Sequence, residues 1–142
     1  MLWYYKRKYR NFVLYIDWKM QSKNDNSGIF VRFADPGNDL WIAVNTGYEI
    51  QIDDLGKPDG SPLHQTGSIY KFAASTKLAS KFVGEWNTFE LKAIDQKYTV
   101  ILNSEKVVSE FVGNRLTEGF IGIQNHDIGS NVSFKNIKLA EL

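Results

Sequence analysis

Short runs in which apolar and polar residues alternate recur along this chain, and no other feature limits its fold as strongly. The clearest are NSGIFVRF (26–33), GYEIQI (47–52) and GIQNH (122–126). Successive side chains of a β-strand point to opposite faces, so each run predicts a strand with one apolar and one polar face. No window shows sustained apolar spacing at the helical period. The sequence therefore predicts an all-β protein.

Turn-forming residues divide the alternating pattern into nine predicted strands. These cover residues 12–18, 27–33, 47–53, 67–70, 86–93, 97–102, 105–111, 119–125 and 131–139. The clearest hairpin connection is Asn103-Ser104, because Asn tolerates a positive φ. Nine strands cannot bury both faces of one flat sheet, so we predict a sandwich of two antiparallel sheets of the jelly-roll type, with a closed barrel as the alternative packing. The only helix-leaning stretch, 72–80, is expected to form at most a turn or two.

Length and composition restrict the class of protein. A chain of 142 residues is expected to form one domain, 1–142. Lys and Arg number 17 against 16 acidic residues, so we expect a neutral partner rather than nucleic acid or an anionic membrane. The absence of cysteine excludes thiolate catalysis, thiolate metal sites and disulfides. No membrane span is indicated, and the basic first residues lack the apolar segment of a signal peptide, so either the protein is cytoplasmic or a leader has been removed.

The polar faces of three predicted strands carry residue types that suit ligand binding. Any one polar face is ordinary for the solvent side of an antiparallel strand. Amides, an arginine and a histidine, however, favour planar and bidentate hydrogen bonding more than a merely solvated face requires. The candidate binding face comprises Arg32, Glu49, Gln51, Gln124 and His126.

The two histidines differ in their surroundings. His126 lies at a predicted strand end beside amides and a carboxylate, and it is the preferred ionisable centre, whereas His64 lies in a loop rich in Pro and Gly. The sequence contains no phosphate-binding glycine loop, serine elbow or His-x-x-x-His zinc pair. Acidic residues in the turns offer oxygen ligands for calcium, but their spacing matches no EF-hand.

Taken in order, eight segments resemble the 3-keto-disaccharide hydrolase domain family of the concanavalin A-like lectin and glucanase superfamily. They are NF (11–12), NSGIFVR (26–32), GYEIQI (47–52), TGSIY (66–70), GEWN (84–87), LN (102–103), GFIGIQNH (119–126) and VSFKNI (132–137). The resemblance implies a jelly-roll sandwich with a carbohydrate-facing concave surface and activity on glycosides oxidised at the third carbon. It also implies a periplasmic or secreted bacterial protein.

Two departures from the family pattern affect these expectations. Family domains usually begin with a further strand or two before the position of Leu2, and Lys135 stands where Arg is usual. We therefore expect a shortened domain whose incomplete sheet edge takes a fused domain, a swapped strand or a second copy.

The substrate class that the resemblance implies suggests a mechanism. A ketone at the third carbon acidifies the proton at the second, so a base can form an enolate that expels the glycosidic oxygen, and hydration follows. We hypothesise His126 or Glu49 as the base, and Arg32 or a divalent cation as the enolate stabiliser. The groups expected to position the sugar hydroxyls are Gln51, Gln124 and Tyr70.

Two other functions remain open at this point. A non-catalytic carbohydrate-binding module would use aromatic platforms, for which the candidates are Phe30, Trp41 and Trp86. A structural adhesion domain would use neither these aromatic residues nor the catalytic candidates. A paired-carboxylate glycosidase is disfavoured, because only Glu49, and less clearly Asp53, stands out where two placed carboxylates are required.

Overall fold

The computed structural model describes all 142 residues, and two antiparallel sheets packed face to face account for most of them. The strands are β1 (Leu2–Trp3), β2 (Phe12–Met20), β3 (Ser27–Phe33), β4 (Tyr48–Ile52), β5 (Asn87–Ile94), β6 (Lys97–Leu102), β7 (Glu105–Val112), β8 (Phe120–Ile123) and β9 (Val132–Glu141). One helix, α1 (Trp41–Thr46), lies between β3 and β4. The four-stranded sheet has the order β1-β8-β3-β4, and the five-stranded sheet has the order β7-β6-β5-β2-β9.

Alternation along the strands produces the core between the sheets. Every second residue of β2, from Phe12 to Met20, is buried, and Ile29 and Ile50 face it from the four-stranded sheet. The apolar core contains 19 buried residues, which is the apolar layer that two stacked sheets require. The predicted two-sheet sandwich is confirmed.

The predicted hairpin between β6 and β7 is also confirmed. Asn103 and Ser104 both have positive φ, 52° and 69°, as a two-residue turn of type I′ requires. The Asn103 side chain adds bonds of its own, since it accepts from the backbone N–H of Thr88 and donates to the carbonyl of Ala79. The turn is therefore fixed to two neighbouring segments.

One local prediction was wrong, and two elements were not predicted. Residues 67–70 form no strand, because the chain folds back at once and Ile69 makes only isolated bridges, to Ile50 and Ala73. The helix lies in the loop 34–46 rather than in 72–80, and it is fixed by one buried residue, Ala43, against the cluster of Phe30, Phe33 and Phe120. β1 was not predicted, because two residues are too few to show alternation.

The sandwich is open along one side. β1 and β9 are the edge strands there, and between them lies an apolar cavity of about 760 Å³. Its walls include core residues such as Ile16 and Ile29 and the more exposed Leu2 and Ile137. No helix of the structure is long and apolar enough to cross a membrane.

Candidate functional site

A second cavity, of about 490 Å³, lies on the outer face of the four-stranded sheet. Its floor is formed by β3 and β4, and its walls by α1, residues 70–71 and the segment after β8. Seven of the nine site residues expected from the sequence line it: Phe30, Trp41, Glu49, Gln51, Tyr70, Gln124 and His126. Strand alternation brings three of these side chains, Phe30, Glu49 and Gln51, to one face, as the sequence indicated.

Gly28 makes room for the carboxyl group of Glu49. In the β3–β4 register Gly28 is opposite Gln51, and Phe30 is opposite Glu49. A Cβ atom at position 28 would overlap Oε1 of Glu49 and lie 2.8 Å from its Cγ. The missing side chain lets the Glu49 side chain lie across β3, over the floor of the cavity.

Glu49 is the only carboxyl group that lines this cavity. It is 9% exposed, and its Oε1 has no hydrogen-bond partner in the protein. Burial disfavours the charged form and raises the pKa of Glu49 from 4.5 to about 8. The group is therefore a protonated acid at pH 7 and becomes a strong carboxylate base at a slightly higher pH.

Three amide oxygens lining the cavity share this lack of a partner. The buried acceptors without a protein donor are Oδ1 of Asn26, Oε1 of Gln51 and Oε1 of Gln124. The Nδ2 group of Asn26 donates to Asp53, 3.3 Å away, which fixes the orientation of this amide. An unsatisfied buried acceptor costs about 1–3 kcal/mol, so the cluster favours a ligand with several hydroxyl donors.

His126 lies at the rim of the cavity. Its Nδ1 is 2.8 Å from Oδ2 of Asp127, and this bond is the main cause that lowers the pKa of Asp127 to about 2. Asp127 is itself held by the backbone N–H groups of Gly129 and Ser130. The carboxylate therefore orients the imidazole, whose Nε2 makes no hydrogen bond within the protein.

Arg32 is not part of this face, and the expectation that it stabilises an enolate there is wrong. It is the extra residue of a bulge between Val31 and Phe33, with a φ of 52°, and its side chain is fully buried. The guanidinium donates to the carbonyls of Arg10 and Asp95 and to the hydroxyl of Tyr98, 3.1 Å away. The bulge turns the side chain away from the cavity.

Trp86 is also remote from the cavity, so its predicted role as a platform at this site is wrong. It precedes β5 and lies between two lysines of the five-stranded sheet. The Nζ of Lys19 is 4.8 Å, and that of Lys135 3.9 Å, from the centroid of its ring. Trp86 therefore packs on the outer face of the other sheet.

Three polar residues of the cavity were missed by the sequence reasoning: Asn26, Lys71 and Asn125, the last of which lies between the predicted Gln124 and His126. Asn26 belongs to the NSGIFVRF run, where a strand-end amide was the available signal. Lys71 gave no signal, because its φ of 66° takes it out of any alternating pattern. No three His, Asp or Glu side chains converge on one point, and the cavity offers the divalent cation hypothesised from the sequence one carboxyl group, Glu49, and one imidazole, His126.

Comparison with solved structures relates the sandwich to candidate glycosyl hydrolases. A candidate glycosyl hydrolase of Parabacteroides distasonis superposes with a TM-score of 0.82 at 30% identity, over 96% of this chain and 81% of its own. A second from the same organism has a TM-score of 0.81 at 25% identity, over 96% of this chain and 72% of its own.

A more distant structure shares the fold alone. The carbohydrate-binding module CBM66 of Bacillus subtilis superposes with a TM-score of 0.68 at 13% identity, over 94% of this chain and 77% of its own. No curated protein matches the chain.

The family comparison covers almost the whole sequence, including every residue of the cavity. The matching model is that of the 3-keto-alpha-glucoside-1,2-lyase-like domain, over residues 1–140. The chain belongs to this family, which the ordered segments of the sequence had indicated.

Proposed function

We propose that this protein binds a glycoside oxidised at the third carbon in the cavity of Glu49 and cleaves it by elimination. The observation that carries the proposal is the single buried carboxyl group with a pKa raised to about 8, among oxygen acceptors that lack donors. A base with a pKa near the working pH combines a usable ionised fraction with high proton affinity. Family membership supports the choice of an oxidised sugar.

In the proposed reaction Glu49 removes the proton from the second carbon. The C–H electron pair forms the enolate of the 3-ketone. When the carbonyl reforms, a double bond develops between the first and second carbons and the glycosidic C–O bond breaks. The departing oxygen takes a proton from His126, which lies at the rim. In the hydration step His126 takes a proton from a water molecule whose hydroxyl adds to the first carbon, and Glu49 returns its proton to the second carbon. This gives the free 3-keto sugar and restores both residues to their starting protonation.

The other cavity residues bind the sugar and stabilise charge. Gln51, Gln124 and Asn26 accept hydrogen bonds from hydroxyl groups, and Tyr70 contributes a hydroxyl. Arg32 points away from the cavity, and the basic side chains that line it are Lys71 and His126. Because His126 is assigned to the leaving group, Lys71 balances the charge of the enolate. Phe30 and the 69% exposed Trp41 offer apolar surface to a sugar ring.

The decisive experiment compares an oxidised with an unoxidised substrate. Purified protein is incubated with methyl 3-keto-α-glucoside and with methyl α-glucoside, and release of methanol is measured. We expect turnover of the keto compound alone, because only its second carbon is acidified. Glu49→Gln should lower kcat at least 100-fold, whereas Glu90→Gln, on β5 of the other sheet, should leave it unchanged. Equal rates for Glu49→Gln and wild type would exclude Glu49 as the base.

A non-catalytic sugar-binding module is the second candidate, favoured by the same unpartnered acceptors. It predicts binding of both glucosides, measured by titration calorimetry, without turnover of either. Turnover of the keto compound would exclude it.

A further inference from the structure

The Tyr70 ring forms one wall of the cavity although its segment is not itself part of a strand. Its backbone N–H donates to the carbonyl of Glu49, 2.9 Å away, and the next residue, Lys71, has a positive φ. The pKa of Tyr70 is raised mainly by burial, with the charges of Glu49, Asp53 and Asp59 adding to the effect. The position of this ring in the wall therefore depends on the side chains packed against it.

His64 packs directly against Tyr70. The two ring centroids are 5.1 Å apart with planes inclined at 45°, and the His64 side chain is only 14% exposed. The Nζ of Lys71 lies 5.3 Å from the centroid of the Tyr70 ring. His64 does not line the cavity itself, so it can influence a ligand only through Tyr70.

Asp59 fixes the orientation of His64. Its Oδ1 lies 2.7 Å from Nδ1 of His64 and also accepts the backbone N–H of Ser61, 3.0 Å away. Both contacts contribute to the lowered pKa of Asp59, with the Ser61 bond the larger cause. The loop 54–66 thus presents the imidazole to Tyr70 in one orientation.

We propose that His64 is a positioning residue for the sugar site, which holds the Tyr70 ring in the cavity wall while Asp59 holds the imidazole. This inference rests on the proposed function and adds a residue outside the cavity to it. Aromatic pairs of this geometry contribute enough free energy that losing one changes an affinity several-fold. Because the imidazole contacts no reacting atom, its loss acts on sugar affinity and not on the chemical step.

A double-mutant cycle between His64 and Tyr70 tests the proposal. The readouts are the Kd for methyl α-glucoside, which the proposed reaction leaves intact, and kcat for methyl 3-keto-α-glucoside. We expect His64→Ala to raise Kd about three- to tenfold and to change kcat less than twofold. His64→Phe, which restores a ring, should return Kd to within twofold of wild type. In a Tyr70→Ala background, His64→Ala should have no further effect.

The control is Lys92→Ala, an exposed position on β5, which should change neither readout.

A probe independent of sugar is the ¹⁹F signal of 3-fluorotyrosine at Tyr70, assigned by its loss in Tyr70→Phe. It should shift in His64→Ala and in His64→Asn, which keeps a polar group near Asp59 but removes the ring.

The outcomes separate the two proposals. If wild type binds sugar but the effects of His64→Ala and Tyr70→Ala are independent, or the ¹⁹F signal does not move, the role of His64 is wrong and the sugar site stands. If wild type binds neither glucoside, the proposed function is wrong, and the role of His64 in sugar affinity is wrong with it.

Discussion

At the scale of single residues, the titration of Glu49 affects both the proposed reaction and the stability of the fold. In the unfolded chain its carboxyl group ionises near pH 4.5, whereas in the folded protein it holds its proton until about pH 8. The folded state therefore binds more protons between these values. The stability that this group contributes is complete below pH 4.5 and is lost as the pH rises to about 8.

Opposite pH trends in activity and stability follow from this titration. Where proton removal from the second carbon limits the reaction, we expect kcat/KM to rise toward pH 8 as Glu49 ionises, while the melting temperature of wild type falls over the same range. Glu49→Gln should abolish turnover but raise the melting temperature at pH 8 relative to wild type, because the amide carries no charge to desolvate. Thermal unfolding at pH 5 and pH 8 measures the difference. A Glu49→Gln variant that is less stable than wild type at pH 8 would contradict the burial effect.

Gly28 is the second residue on which the site depends. In Gly28→Ala the new Cβ overlaps the Glu49 side chain, whose flexible end can move, so the carboxyl group should be displaced while the strand persists. We expect kcat/KM to fall about 10–100-fold and stability to change by about 1 kcal/mol or less. Steady-state kinetics and thermal unfolding check this. The control is Thr99→Ala, at a partly exposed position of β6 in the other sheet. An unchanged kcat/KM for Gly28→Ala would mean that Glu49 acts from another position.

At the scale of elements, alternation predicts a strand well until a residue is inserted. β3 and β6 begin and end where the sequence placed them. In β3, however, the period of two fails at Arg32, where the bulge reverses the expected direction of the side chain. Gly119 permits the bulge, since a Cβ there would lie 2.8 Å from Cα of Arg32. The alternation of apolar and polar residues in β3 carries no sign of this close approach by the residue that precedes β8.

Elements without alternation account for the rest of what the sequence did not predict. α1 is six residues long with one buried residue, and residues 70–71 follow no strand, yet both supply walls of the cavity. Their placement depends on long-range contacts, such as Arg115 donating to the carbonyls of Val44 and Gly47 at the end of α1. The floor of the site was therefore predictable from alternation. For the walls, the sequence indicated single residues such as Trp41, Tyr70 and His126 but not the elements that hold them.

At the scale of the whole molecule, the open side of the sandwich lies apart from the candidate site. The apolar cavity between β1 and β9 shares no residue with the cavity of Glu49. We propose that the sheet edge bordering it associates with a second copy, because unpaired edge strands beside exposed apolar side chains favour pairing.

Sedimentation velocity at increasing protein concentration tests this association. Wild type should show a concentration-dependent dimer. Ile137→Lys, which places a charge at the cavity, should remain monomeric with unchanged kcat. Leu78→Lys, an equally apolar exposed position away from this edge, is the control. A wild type that stays monomeric at every concentration would exclude the second copy as the occupant.

The four tryptophans are placed so that each reports on a different part of the protein. Trp3 borders the open side, Trp18 is in the core, Trp86 is on the outer face of the five-stranded sheet, and Trp41 alone lines the cavity of Glu49. Trp41 is 69% exposed, so of the four its emission depends most directly on whether a ligand replaces solvent in that cavity. The fold thus carries an intrinsic fluorescent label at its candidate site, and a variant that retains only Trp41 would make occupancy visible without any added dye.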